Sequence, residues 1–352
     1  MKKNKKSKAV LIAAGVILAM ILTVIIVIPR ILFPSYEEPV VTGNLTVKTE
    51  LFTWVDESRT ESYTDTGEKR ALTVKFWYPE EEGEYPLVVF SHGAFGVIDS
   101  NHSTCMELAS NGYVVASIGH PYHAMFVEDV NGNTTIVDME FMQQVYADNG
   151  GEYTQESEKQ KYELTQEWME LRVADENFVL DTVLNLAENG NEEPFTMVDT
   201  ERIGLFGHSM GGASSVALGR IRDDIDAVID LEGTMMGEYV GFENGYEIYN
   251  EEPYPIPVLE FNSQAVRDDI DALEKEHPEW EYVNDYLGRN AIDYREIVIQ
   301  DAGHLNFTDL PMVSPFLASL LGVGEADAKA CIEQINQEIL HFFDYYLKGE
   351  AR

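Results

Sequence analysis

Residues 203–216 read Ile-Gly-Leu-Phe-Gly-His-Ser-Met-Gly-Gly-Ala-Ser-Ser-Val, and no other stretch limits the possible folds as sharply. Ile203 to Phe206 make a short apolar strand, and Ala213 to Leu218 are small and apolar, as a buried helix requires. Between them lies the G-x-S-x-G pattern Gly207-His208-Ser209-Met210-Gly211. A strand that turns at once into a helix holds its central serine in a strained backbone, so only residues without bulk fit beside it. Gly207 and Gly211 meet that need. The five-residue pattern recurs by chance, but within strand–turn–helix it predicts a nucleophile elbow with Ser209 as the nucleophile, rather than a structural Gly-rich turn.

The rest of the chain alternates strands with helices, which predicts an α/β fold: a mixed, mainly parallel central sheet flanked by helices. Leu51–Val55 and Leu72–Tyr78 read as strands joined by the polar stretch 56–70. Tyr85–Phe90 is a continuous apolar run, as expected at the centre of a parallel sheet. Tyr113–Ile118, Ala227–Leu231, Ile256–Phe261 and Tyr294–Ile299 supply further strands. Long helical patterns run from about Tyr153 to Asn189 and from Glu325 to Lys348. Residues 131–151 are polar and contain Gly and Asn. They form part of an excursion over 126–166 that could act as a lid or rim over the site.

A serine hydroxyl becomes nucleophilic only when an imidazole takes its proton, and the imidazole needs a carboxylate to orient it. On an α/β-hydrolase fold these groups follow in the order Ser, acid, His. Of the histidines after Ser209, His304 lies in Asp301-Ala302-Gly303-His304-Leu305-Asn306-Phe307, beyond the last strand, where a loop can face the elbow. His277 sits in an acidic stretch and His341 within a helix, so His304 is the expected base. Glu232, at a strand's carboxyl end, is the expected acid; Asp230 and Glu260 are the alternatives. Asp230 and Glu232, two apart, would share a face if both were extended. The oxyanion of an acyl-transfer intermediate needs two aimed donors. The N–H of Met210, just after the nucleophile, and that of Ala94, in Phe90-Ser91-His92-Gly93-Ala94, are the candidates, with His92 shaping the loop. No metal or organic cofactor is expected; His120 and His123, at a strand end, read as rim residues rather than ligands.

Charge narrows the partners. The formal net charge is −38. All six basic residues of the first thirty lie there without an acid, which leaves 18 of the 24 basic residues against all 62 acidic ones, a net of −44, for the remainder. Such a surface repels nucleic acid, so no nucleic-acid partner is expected. Lys2–Lys8 precede twenty uncharged residues, Ala9–Ile28, enough for about 30 Å of helix. No small-x-small cleavage site follows. The expected organisation is a cytoplasmic basic segment (1–8), an uncleaved transmembrane anchor (9–29), a spacer (30–44) and an outward-facing catalytic domain (45–352) at the cell membrane. Cys105 and Cys331 lie in apolar helical contexts, which favours buried free thiols over a disulfide.

In order and approximate spacing, Phe90-Ser91-His92-Gly93, Gly207 to Gly212, Asp230-Leu231-Glu232-Gly233, Val258 to Ser263 and Gly303-His304-Leu305-Asn306-Phe307 resemble the platelet-activating-factor acetylhydrolases, most closely their bacterial relatives. Trp54-Val55-Asp56-Glu57-Ser58-Arg59 and Phe76-Trp77-Tyr78-Pro79 extend the resemblance to about residues 50–345. It implies a calcium-independent serine esterase that releases short acyl groups, in some members from phospholipids. It carries the nucleophile onto Ser209, the base onto His304 and the oxyanion donors onto Ala94 and Met210. The family's acid falls on Glu232, where aspartate is usual.

The expected function is therefore hydrolysis of small or phospholipid esters through an acyl-enzyme. A polyester or lipid hydrolase or a peptidase of the same fold, or a non-catalytic surface binding protein, are the alternatives, since fold alone does not establish chemistry.

Overall fold

A computed structural model describes residues 23–148 and 155–351. In chain order its strands are β1 (Val47–Thr60), β2 (Lys69–Pro79), β3 (Tyr85–Ser91), β4 (Val114–Gly119), β5 (Phe126–Glu128), β6 (Thr134–Ile136), β7 (Val198–His208), β8 (Ala227–Leu231), β9 (Tyr239–Glu243), β10 (Tyr246–Tyr249), β11 (Val258–Ser263) and β12 (Tyr294–Ile299). One eight-stranded sheet has the order β1-β2-β4-β3-β7-β8-β11-β12. Its first two pairings are antiparallel and the remaining five parallel, as the alternating strand–helix pattern predicts. β5 with β6 and β9 with β10 form separate hairpins.

The period of two along a strand builds two cores. Leu87 and Val89 of β3 face one layer, which contains the long helix Gln155–Asn189 and the elbow helix Met210–Ile221. Val88 and Phe90 face the other, against His102–Ser110 and the C-terminal helix Ala328–Lys348. Because both faces are covered, β3, β4 and β8 are apolar and buried along nearly their whole length.

One expectation changes, and two segments gain detail. The first strand is not Leu51–Val55 but fourteen residues long, and the polar connector 56–70 is strand at its two ends, 56–60 and 69–70, with turns over 61–68 between them. At those ends Arg59 and Arg70 reach the buried Asp175 of the long helix, and Arg70 also bonds Glu61, so polarity there does not by itself mark a loop. The spacer 30–44 is tied down: Thr42 N–H donates to Glu107 Oε2 at 2.8 Å, and Ser314 Oγ donates to the Leu32 carbonyl. The described part of the excursion after β4 contains the β5–β6 hairpin and the helix Met139–Asp148.

Of the expected membrane span, residues 9–22 lie outside the described residues. Among the described residues, no helix is long and apolar enough to cross a membrane. Cys105 and Cys331 are buried free thiols, as expected.

Candidate active site

The elbow forms as its glycines require. A Cβ at Gly207 would stand 2.2 Å from the Gly211 carbonyl carbon, and one at Gly211 2.0 Å from the Ser91 oxygen. β7 can therefore turn into its helix against the end of β3 only without side chains at these points. Ser209 takes φ 55° and ψ −125°, and its N–H donates to the Leu231 carbonyl at 2.9 Å. Phe95, Glu232 and Asp301 also have positive φ. Four of the six positive-φ residues other than glycine among the described residues thus belong to the elbow, the Ala94 loop, the acid and the His304 loop. Strain of this kind persists only where surrounding contacts hold it in place.

Glu232 and Asp230 do not share a face. β8 ends at Leu231, and Glu232, at φ 55°, swings out of the strand. Its Oε2 accepts from His304 Nδ1 at 2.7 Å, and its Oε1 accepts from the Ser263 N–H at 2.6 Å. A carboxylate can only accept, so the His304 proton sits on Nδ1 and Nε2 keeps its lone pair. The Glu232 side chain is 3% exposed and that of His304 is 42% exposed, so the acid is sheltered while the imidazole meets solvent.

Asp230 instead accepts from the Gly233 N–H at 3.0 Å and lies where a Gly212 Cβ would be, 1.8 Å away. Burial, and then Glu260 beside it on β11, push its carboxyl well above the usual range. It buttresses the elbow. Glu260 is held by Asn262, Asn284 and Tyr294, and burial raises it to about 7.

His208 occupies the variable second position of the elbow pattern. Its Nε2 donates to the His304 carbonyl at 3.0 Å, and the two rings lie 4.5 Å apart. Burial, followed by His304, lowers its pKa well below 6.5, so it stays a neutral spacer that fixes the His304 loop. Only tertiary contact reveals this role.

The Ala94 loop lies beside the elbow: a Cβ at Gly93 would be 3.1 Å from Ser209 Cβ. Ala94, Phe95, Met210 and Ala213 share an apolar cluster with Phe141, Trp168 and Met236. Phe141, from the excursion, stacks on His123 at 3.8 Å, and Phe95 meets both Phe141 and Tyr146. The excursion thus packs directly on the loop beside Ser209.

His120 and His123 are not rim residues; both are wholly buried beneath this loop. His120 Nδ1 donates to Asp175 Oδ2 at 2.9 Å, and its Nε2 accepts from Ser91 Oγ at 3.0 Å. Burial and Arg172 lower His120 to about 3. Burial alone would raise the Asp175 carboxyl, but the Arg70 fork, with both bonds at 2.6 Å, holds it well below the usual range. Arg172, Asp175 and Glu176 come from one face of the long helix, at spacings of three and four. Nothing in their sequence context marked that helix as a partner of the loop. Among the described residues no group of three or more His, Cys, Asp or Glu side chains could hold a metal ion.

The sequence profile of the platelet-activating factor acetylhydrolase, isoform II, family matches residues 59–351. The chain belongs to this family. A probable 1-alkyl-2-acetylglycerophosphocholine esterase of Arthroderma benhamiae is 25% identical over 284 residues, covering 75% of this chain and 61% of its own length. The platelet-activating factor acetylhydrolases of Cavia porcellus and Gallus gallus are 23% and 27% identical, covering 78% and 75% of this chain and 61% and 62% of their own lengths. This acetylhydrolase-family chain therefore spans about three fifths of the length of those relatives. A solved ferulic acid esterase from Streptomyces cinnamoneus superposes with a TM-score of 0.66 at 22% identity, covering 90% of this chain and 95% of that one, and shares the fold. Glu232, Ser209 and His304 all fall within the matched residues.

Proposed function

We propose that this chain is a serine carboxylic-ester hydrolase. Ser209 attacks the ester carbonyl while His304 Nε2 removes its proton, and the proton leaves with the alcohol. Water then attacks the acyl-enzyme through the same base, and Ser209 recovers its proton. Glu232 holds the imidazole tautomer and stabilises the imidazolium, and the N–H groups of Met210 and Ala94 receive the oxyanion. The observation that carries this reading is the buried Glu232 carboxylate bonded to the half-exposed His304, whose carbonyl is held by His208, the residue before the strained Ser209. The names of the relatives point to acetyl esters of glycerophospholipids as substrates. No cofactor takes part in this scheme. The apolar run Ala9–Ile28 anchors the domain to the cell membrane, facing outward.

The test is hydrolysis of p-nitrophenyl acetate by the purified full chain, followed by a series of longer acyl chains and acetylated phospholipids. Turnover by the wild type no faster than by Ser209→Ala would refute the reading. Release of the full chain from membranes by alkaline carbonate would refute the anchor.

A further inference from the structure

The guanidinium of Arg172 is wholly buried, yet among the described residues it bonds to no carboxylate. Nη1 donates to the His92 carbonyl at 2.9 Å, Nη2 to the Gly93 carbonyl at 3.3 Å and Nε to His123 Nδ1 at 3.1 Å. The acids nearest on its own helix are engaged elsewhere: Asp175 by Arg70 and His120, Glu176 by Ser214 and Ser215. A buried positive charge thus faces the two carbonyls that precede Ala94 and the His123 ring.

Peptide geometry gives that placement a consequence. The Gly93–Ala94 unit is planar and trans, so its C=O and N–H point in opposite directions. Holding the Gly93 oxygen down toward Arg172 turns the Ala94 N–H up, away from the core. His92 Nδ1 donates to the same oxygen at 2.7 Å and the Gly96 N–H at 3.1 Å, which pins the plane further. The next amide, Phe95 N–H, is taken by the His123 carbonyl at 2.9 Å, whereas the Ala94 N–H has no acceptor among the described residues. A cation on the carbonyl side also draws electron density from the amide, which strengthens its N–H as a donor.

We propose that Arg172 is a positioning residue that aims and polarises the Ala94 N–H toward the oxyanion. This rests on the ester-hydrolase reading above. Arg172→Gln keeps donors but not the charge, and Arg172→Lys keeps the charge but not the fork. In the full chain, each should lower kcat for p-nitrophenyl acetate by about 10–100-fold with KM changed by less than about 3-fold. A trifluoromethyl ketone supplies the second readout. The Ser209 oxygen adds to its carbonyl carbon, the proton passes to His304 and the carbonyl pair becomes an oxyanion. Its inhibition constant should rise in proportion to the loss in kcat, which a merely structural role would not produce.

Folded variants with wild-type kcat, or with losses in kcat not matched by the ketone, would overturn the proposal. Failure of both variants to fold would assign Arg172 to stability alone and also overturn it. A wild type no more active than Ser209→Ala is a separate result: it removes the ester-hydrolase reading, and the proposal with it.

Discussion

Two Ser–His–carboxylate groupings lie close together in this protein, and they differ in access and in the backbone of the serine. In the first, Glu232 bonds His304 at 2.7 Å beside Ser209; in the second, Asp175 bonds His120 at 2.9 Å and His120 faces Ser91 at 3.0 Å. By connectivity the buried grouping is the more complete. Its three members are wholly buried, and burial together with Arg172 lowers His120 to about 3, so at neutral pH its imidazole is a poor proton acceptor. Ser91 also lies at the end of β3, without the positive φ that lifts Ser209 out of the sheet. A triad is therefore distinguished by access, by a strained nucleophile and by amides left free for an oxyanion. The buried grouping instead underlies the Ala94 loop, where the His120 N–H donates to His92 Nε2 at 3.4 Å.

The contrast can be broken by mutation. Ser209→Ala should abolish ester hydrolysis, by about 10⁵-fold or more, while folded Ser91→Ala should stay within about 3-fold of the wild type in kcat. Comparable losses in both would erase the distinction. Glu232→Gln should lower kcat by about 10³-fold, because the imidazole loses its tautomer control, and Asp230→Asn by less than about 10-fold. The reverse ranking would move the acid to Asp230.

On the buried side the effect should appear as stability. Asp175→Asn uncouples Arg70 and His120 and should cost about 3–5 kcal/mol in denaturant unfolding. An unchanged midpoint would show that this network is not structural.

The smallest effect concerns pH. Burial raises Glu176 to about 7, where an unfolded chain would have an ordinary carboxyl near 4.5. The native state therefore holds this proton more tightly. Its contribution is fully present below about pH 4.5 and is lost as pH rises through about 7. Glu176→Gln should flatten the fall in Tm between about pH 5 and 7, though not wholly, since Glu260 and Asp309 are also raised to about 7. Parallel Tm curves for variant and wild type would reject this assignment.

Much of the candidate site's geometry was legible in the chain. Ser209 announced itself because strand, glycines and small-residue helix are contiguous, so local sterics alone specify an elbow. His304 followed from its place after the last strand, and Glu232 from its place at the end of β8, although the turn at φ 55° that separates it from Asp230 was not visible. The excursion was recognised by its polarity, but Phe141, which seats it on His123, was not. His120 and His123 were misplaced at the rim because their partners lie about fifty residues away, on the long helix.

The sequence by itself determined the elbow, the alternation of strands and helices and the family, because these depend on periodicity and on neighbours within a few residues. Tertiary structure decided which carboxylate meets His304, which histidines are buried and what stands behind the Ala94 loop. Those outcomes depend on charges brought together from strands and helices far apart in the chain, and burial sets whether each one can carry a proton.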